Sequence, residues 1–263
     1  MKQPLTVKQS GNTKEVFFRL QIYKYTEDII MKKNLTEIVF ILDRSGSMSG
    51  LESDTVGGFN SMLAKQQREE GEAYISTVLF DDKIEVLHDR KDIKEVKPIT
   101  EKEYYVRGCT ALLDAVGGAI HHIGTIHKYA REEDRPEKTV FVITTDGLEN
   151  ASREYTCEKV KQMIERQREK YNWEFIFLGA NMDAVSVAGK MGIAASNAVR
   201  YECDSIGTGV NFGVIAKTIS RMRSSRSDKE FRACVESGVY LGAEWQPTNK
   251  WSFMAYTDWF YFP

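Results

Sequence analysis

Residues 37–43 read EIVFILD, an apolar run without polar alternation that ends in one acid. A strand with one wet face alternates apolar and polar side chains, so a run like this needs cover on both faces. The same signature returns at residues 73–80 (AYISTVLF), 138–145 (KTVFVITT) and 173–178 (WEFIFL), with a shorter strand expected at 197–201. Helical periods separate these runs. Residues 51–67 place Leu51, Val56, Phe59, Met62 and Leu63 on one side. Residues 111–130 repeat apolar positions at three and four through Leu112, Val116, Ala119, Ile120, Ile123, Ile126 and Ala130. Further helices are expected at 157–171, with Val160, Met163 and Ile164 inward, at 184–191, stopped by Gly192, and at 210–222, using Val214, Ile215, Ile219 and Met222. Asp81-Asp82 turns the chain tightly into a strand over 83–88, which makes a hairpin and one antiparallel edge strand. The expected fold class is therefore α/β: a Rossmann-like, doubly wound, mostly parallel sheet with one antiparallel edge strand and helices on both faces.

The 263 residues suit one such domain with appendages. The expected division is a basic N-terminal extension at 1–35, the domain at 36–224, and an aromatic-rich tail at 225–263. Residues 1–33 carry seven Lys/Arg against three acids, and the stretch Val16 to Leu20 is interrupted by Arg19, so it is not read as a signal peptide. The run Ser224-Ser225-Arg226-Ser227-Asp228 reads as a linker, and ten of the 29 aromatics follow from Phe231 onward. That tail either packs over a sheet edge or docks a partner.

Several function classes drop out on composition. A net charge of −2 argues against general nucleic-acid binding. No run of eighteen apolar residues marks a membrane span. Cys109, Cys157, Cys203 and Cys234 are too scattered for a zinc or redox motif, and His88, His121, His122 and His127 form no ligand pattern. The chain is expected to be cytoplasmic.

In open α/β sheets, sites form at the carboxyl ends of strands. Three loops there are rich in short oxygen donors: Asp43-Arg44-Ser45-Gly46-Ser47-Met48, then Gly108-Cys109-Thr110-Ala111, then Thr144-Thr145-Asp146-Gly147. Alternate residues Asp43, Ser45 and Ser47 can turn towards one point, Thr110 adds a contact from a second loop, and Asp146 adds a second carboxylate. Such a set suits a hard cation, Mg²⁺ or Mn²⁺, which takes oxygen ligands at ~2.0–2.1 Å in the case of Mg²⁺ and keeps some water. The absence of thiolate and imidazole disfavours zinc and copper. Only two acids face the cation, so one position stays open for a carboxylate, Asp or Glu, from a protein partner. Taken singly these residues are ordinary caps and turns; their joint order is what points to metal.

Other chemistries fit less well. A haloacid-dehalogenase phosphatase needs a carboxylate two residues after Asp43, where Ser45 stands. A serine hydrolase needs a base, and His121, His122 and His127 belong to the long helix. Gly207-Thr208-Gly209-Val210-Asn211-Phe212-Gly213 has its third glycine one place too late for a dinucleotide fingerprint. The alternative that remains is a phosphoester hydrolase using the same ion, with Glu149, read as a surface loop residue, as the only nearby carboxylate.

The set Asp43-x-Ser45-x-Ser47, Thr110 and Thr145-Asp146-Gly147 resembles the von Willebrand factor A domain with an intact metal-ion-dependent adhesion site. The resemblance covers residues 36–224. It implies that Ser45, Ser47 and Thr110 ligate the ion directly, while Asp43 and Asp146 act mostly through water. It implies a metal-dependent adhesion or scaffold module, not an enzyme. The Asp-x-Ser-Gly-Ser-Met form is similar to bacterial and intracellular members, including those near tellurium-resistance and stress-response systems.

Overall fold

Alternate side chains of strand β1 (Lys32–Asp43) enter two different cores, as an unbroken apolar run requires. Ile38, Phe40 and Leu42 point to one side and Val39 and Ile41 to the other, and all five are fully buried. Each such side chain contributes roughly 1.5–3 kcal/mol by leaving water. The chain is seen here in a computed structural model that describes residues 32–180, 182–201 and 205–234. The expectations for residues 1–31 and 235–263 lie outside these.

Among the described residues the sheet has six strands: β1, β2 (Glu72–Phe80), β3 (Ile84–Asp92), β4 (Pro136–Thr145), β5 (Glu174–Ala180) and β6 (Ala198–Tyr201). Their order is β3-β2-β1-β4-β5-β6. Every pairing is parallel except β2 with β3, which form the expected antiparallel hairpin at one edge. β1 and β4 are central, matching the two most apolar runs.

Among the described residues five α-helices cover the faces: α1 (Glu52–Gln66), α2 (Leu112–Tyr129), α3 (Cys157–Tyr171), α4 (Ala184–Lys190) and α5 (Ser205–Ser224). Phe59, Met62 and Leu63 of α1 and Ile215, Ile219 and Met222 of α5 meet Phe40 on one side of the sheet. Val116, Ile120 and Ile123 of α2 and Val160 and Ile164 of α3 meet Ile41 on the other. The α3 cap is local chemistry: Thr156 Oγ1 accepts from Lys159 N at 3.3 Å, and Asn172, left-handed at φ 56°, ends the helix.

Three boundaries differ by four residues or more from the sequence reading, the first being β1, which begins at Lys32 and not at residue 37. α5 starts at Ser205, five residues before the expected 210, because Gly207 and Gly209 depress helix propensity while tertiary packing overrides it. The glycine-rich stretch weighed as a nucleotide loop is thus helical. β3 runs on to Asp92 through a bulge opposite residues 75–77, a device periodicity does not show. Beyond residue 224 the chain keeps packing: Ser225 is buried, and Phe231, 1% exposed, joins the core beside α1 and α5.

The parallel strands end on one edge. The chain passes from β1 to β2 on one side and later returns to β4 on the other, so the loops after β1 and β4 diverge at a topological switch point.

Candidate functional site

Asp43 ends β1 and is fully buried beside the end of β4. Its carboxylate is held from two sides: Ser45 N donates to Oδ1 at 2.7 Å, and Thr145 Oγ1 donates to Oδ2 at 2.6 Å. Tyr104, itself fully buried, donates its hydroxyl to the Asp43 carbonyl at 2.5 Å. Burial pushes the Asp43 carboxyl above the ordinary carboxylate range; its hydrogen bonds from Thr145 and Ser45 pull it back, and the negative charge of Asp146 pushes it up again. Asp43 and Asp146 are thus close enough to repel.

The other predicted residues gather at the same point. Ser45 Oγ and Ser47 Oγ are 3.0 Å apart. Gly147 sits against both loops: a Cβ placed on it would meet Thr110 Oγ1 at 2.6 Å and Ser47 Oγ at 3.1 Å. Only glycine lets the β4–α3 loop come this close. Thr110 is buried and does not cap its helix; the N-cap is Ala111, with no side-chain cap bond. The first turn of α2 is served instead by the next loop, where Glu149 Oε2 accepts from Leu113 N at 2.8 Å and Ser152 Oγ from Asp114 N at 3.0 Å. The Thr110 hydroxyl is therefore not committed to the helix.

The loops are fastened to one another by bonds the sequence does not show. Asn150 Oδ1 accepts from Thr110 N at 2.9 Å, and Asn150 N donates to Thr110 O at 3.1 Å. Gly46 N donates to Gly108 O at 3.2 Å, and Arg107 N to Arg44 O at 2.9 Å. Asp81, read only as a turn residue, is fully buried and accepts from both Arg44 Nε and Arg107 Nε at 2.8 Å. Glu149, expected as a surface loop residue, is half-buried, with Oε1 accepting from Ala151 N and Ser152 N and Oε2 from Leu113 N and Ser152 Oγ. The sequence placed Asp81 at the end of a buried strand, which does not reveal the loops it ties.

Chemically, three hydroxyls and two carboxylates around one point offer oxygen donors to a hard dication. The repulsion between Asp43 and Asp146 is what such a charge would relieve. Among the described residues, no three His, Cys, Asp or Glu side chains form a metal cluster, so a cation here depends on hydroxyl ligands. His121 and His122 are exposed on α2, and His122 Nε2 pairs with Asp89 Oδ1 at 2.8 Å. Among the described residues no helix is long and apolar enough to cross a membrane.

No family model matches the chain, and no curated protein matches it significantly. Solved structures do. The vWF domain of the type V pili tip protein Mfa5 from Porphyromonas gingivalis superposes with a TM-score of 0.52 at 11% identity, over 73% of this chain and 97% of that one. Proximal thread matrix protein 1 from the mussel byssus gives 0.50 at 15% identity, over 76% of this chain and 51% of that one. The same protein with a zinc-occupied MIDAS motif gives 0.51 at 16% identity over the same shares. This chain spans about half the length of the mussel protein, 51%. At such identities the likeness speaks for architecture alone, and with the sheet order and the helices on both faces it shows a von Willebrand factor A fold.

Proposed function

We propose that this chain is a metal-dependent protein-binding module. Ser45, Ser47 and Thr110 would hold Mg²⁺ or Mn²⁺ through their hydroxyls, with Asp43 and Asp146 balancing its charge, in part through water. The observation that carries this reading is the meeting of all three loops at Gly147, which leaves no room for a side chain between Thr110 and Ser47. When bound, the cation supplies an electrophilic contact for an incoming Asp or Glu of the partner. The chain's own residues orient the shell. Thr145 and the Ser45 amide fix the Asp43 carboxylate, and Asn150 fixes the backbone of Thr110. Burial of the partner's carboxylate in an interface strengthens its ionic contact, because the effective dielectric falls.

Binding is favoured over phosphoester hydrolysis by the state of Glu149. Both its oxygens already accept hydrogen bonds within the loops, so it is a brace and a poor base. The similar solved structures, a pilus tip domain and a byssal matrix protein, fit the same reading. We place the chain in a bacterial cytoplasmic setting, within a stress-response or tellurium-resistance-like assembly. This setting rests on the likeness of the Asp-x-Ser-Gly-Ser-Met loop to that of bacterial and intracellular members.

The test is calorimetric titration with Mg²⁺, Mn²⁺ and Zn²⁺, the last because the mussel protein's site accepts zinc. One site is expected, lost in Asp43→Ala. Unchanged binding in that variant refutes the assignment. Partner capture should then require the metal and fail in Thr110→Ala with the fold intact; capture that persists in chelator would put the interface elsewhere.

A further inference from the structure

We infer that Asp81 is the positioning residue of the site: it sets the Thr110 loop against the Asp43 loop without touching the cation itself. This rests on the metal-binding reading above.

The geometry is a hub. Asp81 follows β2, with no exposed surface. Its Oδ2 accepts from Arg44 Nε, which follows Asp43, and from Arg107 Nε, three residues before Thr110, both at 2.8 Å. Its Oδ1 accepts from Lys83 N at 2.8 Å, and its carbonyl accepts from Ala111 N, the residue after Thr110, at 2.8 Å. The Thr110 loop is thereby gripped on both sides of the hydroxyl it presents. The two guanidiniums lie over the ring of Tyr105, with centroid distances of 5.2 and 5.1 Å, and Arg44 Nη1 also meets Glu85 Oε2 at 2.8 Å. The hairpin turn closes the arrangement. Gly108 has φ 67°, and a Cβ there would strike Asp82 Oδ1 at 2.3 Å, so the Thr110 loop rides directly on the Asp81-Asp82 turn.

A carboxylate is required at this place for two reasons. Two guanidiniums converge on one oxygen, and only a charged acceptor with free lone pairs serves both while the other oxygen takes an amide. It also offsets two positive charges that would otherwise lie near an incoming dication. Asparagine keeps the shape but fails on both counts. If its oxygen serves the arginines, its amide nitrogen faces the Lys83 N–H, donor to donor. If its oxygen serves Lys83, the nitrogen faces the arginines.

The experiment is a double-mutant cycle in metal affinity, read by Mn²⁺ titration of the full chain. Asp81→Asn should weaken Mn²⁺ binding on the order of tenfold, the scale of outer-shell changes at metal sites. If Asp81 acts by placing Thr110, then Asp81→Asn added to Thr110→Ala should weaken binding less than about twofold further, because the hydroxyl it positions is already gone. A role limited to general stability would leave the two losses multiplying, and that result overturns the inference. So does unchanged affinity in Asp81→Asn. Should Asp81→Asn fail to fold, Arg107→Ala takes its place in the same cycle, since Arg107 is 40% exposed and its removal leaves Arg44 paired; additivity there likewise refutes the positioning role. Absence of Mn²⁺ binding in the unaltered chain would instead sink the metal reading, and this inference with it.

Discussion

Asp43 carries the sharpest conflict in the molecule. Its carboxylate is buried beside a second negative charge, and burial raises its affinity for a proton above that of an exposed aspartate. The folded chain then binds that proton more tightly than the unfolded chain does. Stability from this group is therefore highest below the ordinary carboxylate pKa, about 3.9, and falls as pH rises through the higher folded value. Asparagine cannot ionise, so it escapes the penalty while still accepting one of the two hydrogen bonds. In chelator at pH 7, Asp43→Asn should melt higher than the unaltered chain, and the two should converge as pH approaches about 4. Added Mg²⁺ should stabilise only the unaltered chain. A lower melting temperature for Asp43→Asn at pH 7 would mean that the bonds from Ser45 N and Thr145 Oγ1 outweigh the cost of the buried charge. Asp43, Ser45 and Ser47 were legible in the sequence because they alternate within one loop, Thr110 because it directly precedes the long helical period, and Asp146 because it follows a buried apolar run. Asp81 and Asn150 were not: the partners through which they tie the loops lie 26 to 40 residues away, and nothing local marks a residue whose work is to hold another loop.

The strands and long helices were legible for a related reason: an unbroken apolar run or a 3.6-residue period is written locally, wherever the element ends up. What local pattern omits is how elements are fastened. Helix α5 shows this twice. Its first turn was hidden by Gly207 and Gly209, and its last turn is anchored by a buried arginine with no visible motif. Arg223 Nη1 donates to Gln66 O at 2.6 Å, and Nη2 to Glu70 O and Gly71 O at 3.2 Å, so one side chain on α5 closes the carboxyl end of α1. Gln66 returns the tie through Nε2 to Ala216 O at 2.8 Å. Burial works against the charge of Arg223 and lowers its pKa, but removing the donors costs more, because the Gln66 carbonyl at the end of α1 would stay buried without its donor. Arg223→Met keeps most of the volume and should lower unfolding stability by about 2–4 kcal/mol in urea titrations. A change under about 0.5 kcal/mol, the level of ordinary surface substitutions, would show that the carbonyls find water instead.

The two cores divide the labour of the whole chain. The side with α2, α3 and α4 closes through elements that the sequence periodicity marks plainly, whereas the side with α1 and α5 is completed from past the expected domain end. Phe231, 1% exposed, fills that second core, and Ser225 O accepts from the buried Lys138 Nζ at 2.6 Å at the start of β4. Burial lowers the pKa of Lys138, so each carbonyl that faces its ammonium matters. A chain ending at Ser224 loses the Phe231 ring and one of the two carbonyls bound to Lys138, the other being Arg223 O at 2.9 Å. Loss of a buried phenylalanine alone is worth about 3–5 kcal/mol. Residues 31–224 should therefore unfold at a lower denaturant midpoint than residues 31–234, by an amount matching that loss. Equal midpoints for the two fragments would support the expected domain boundary at residue 224.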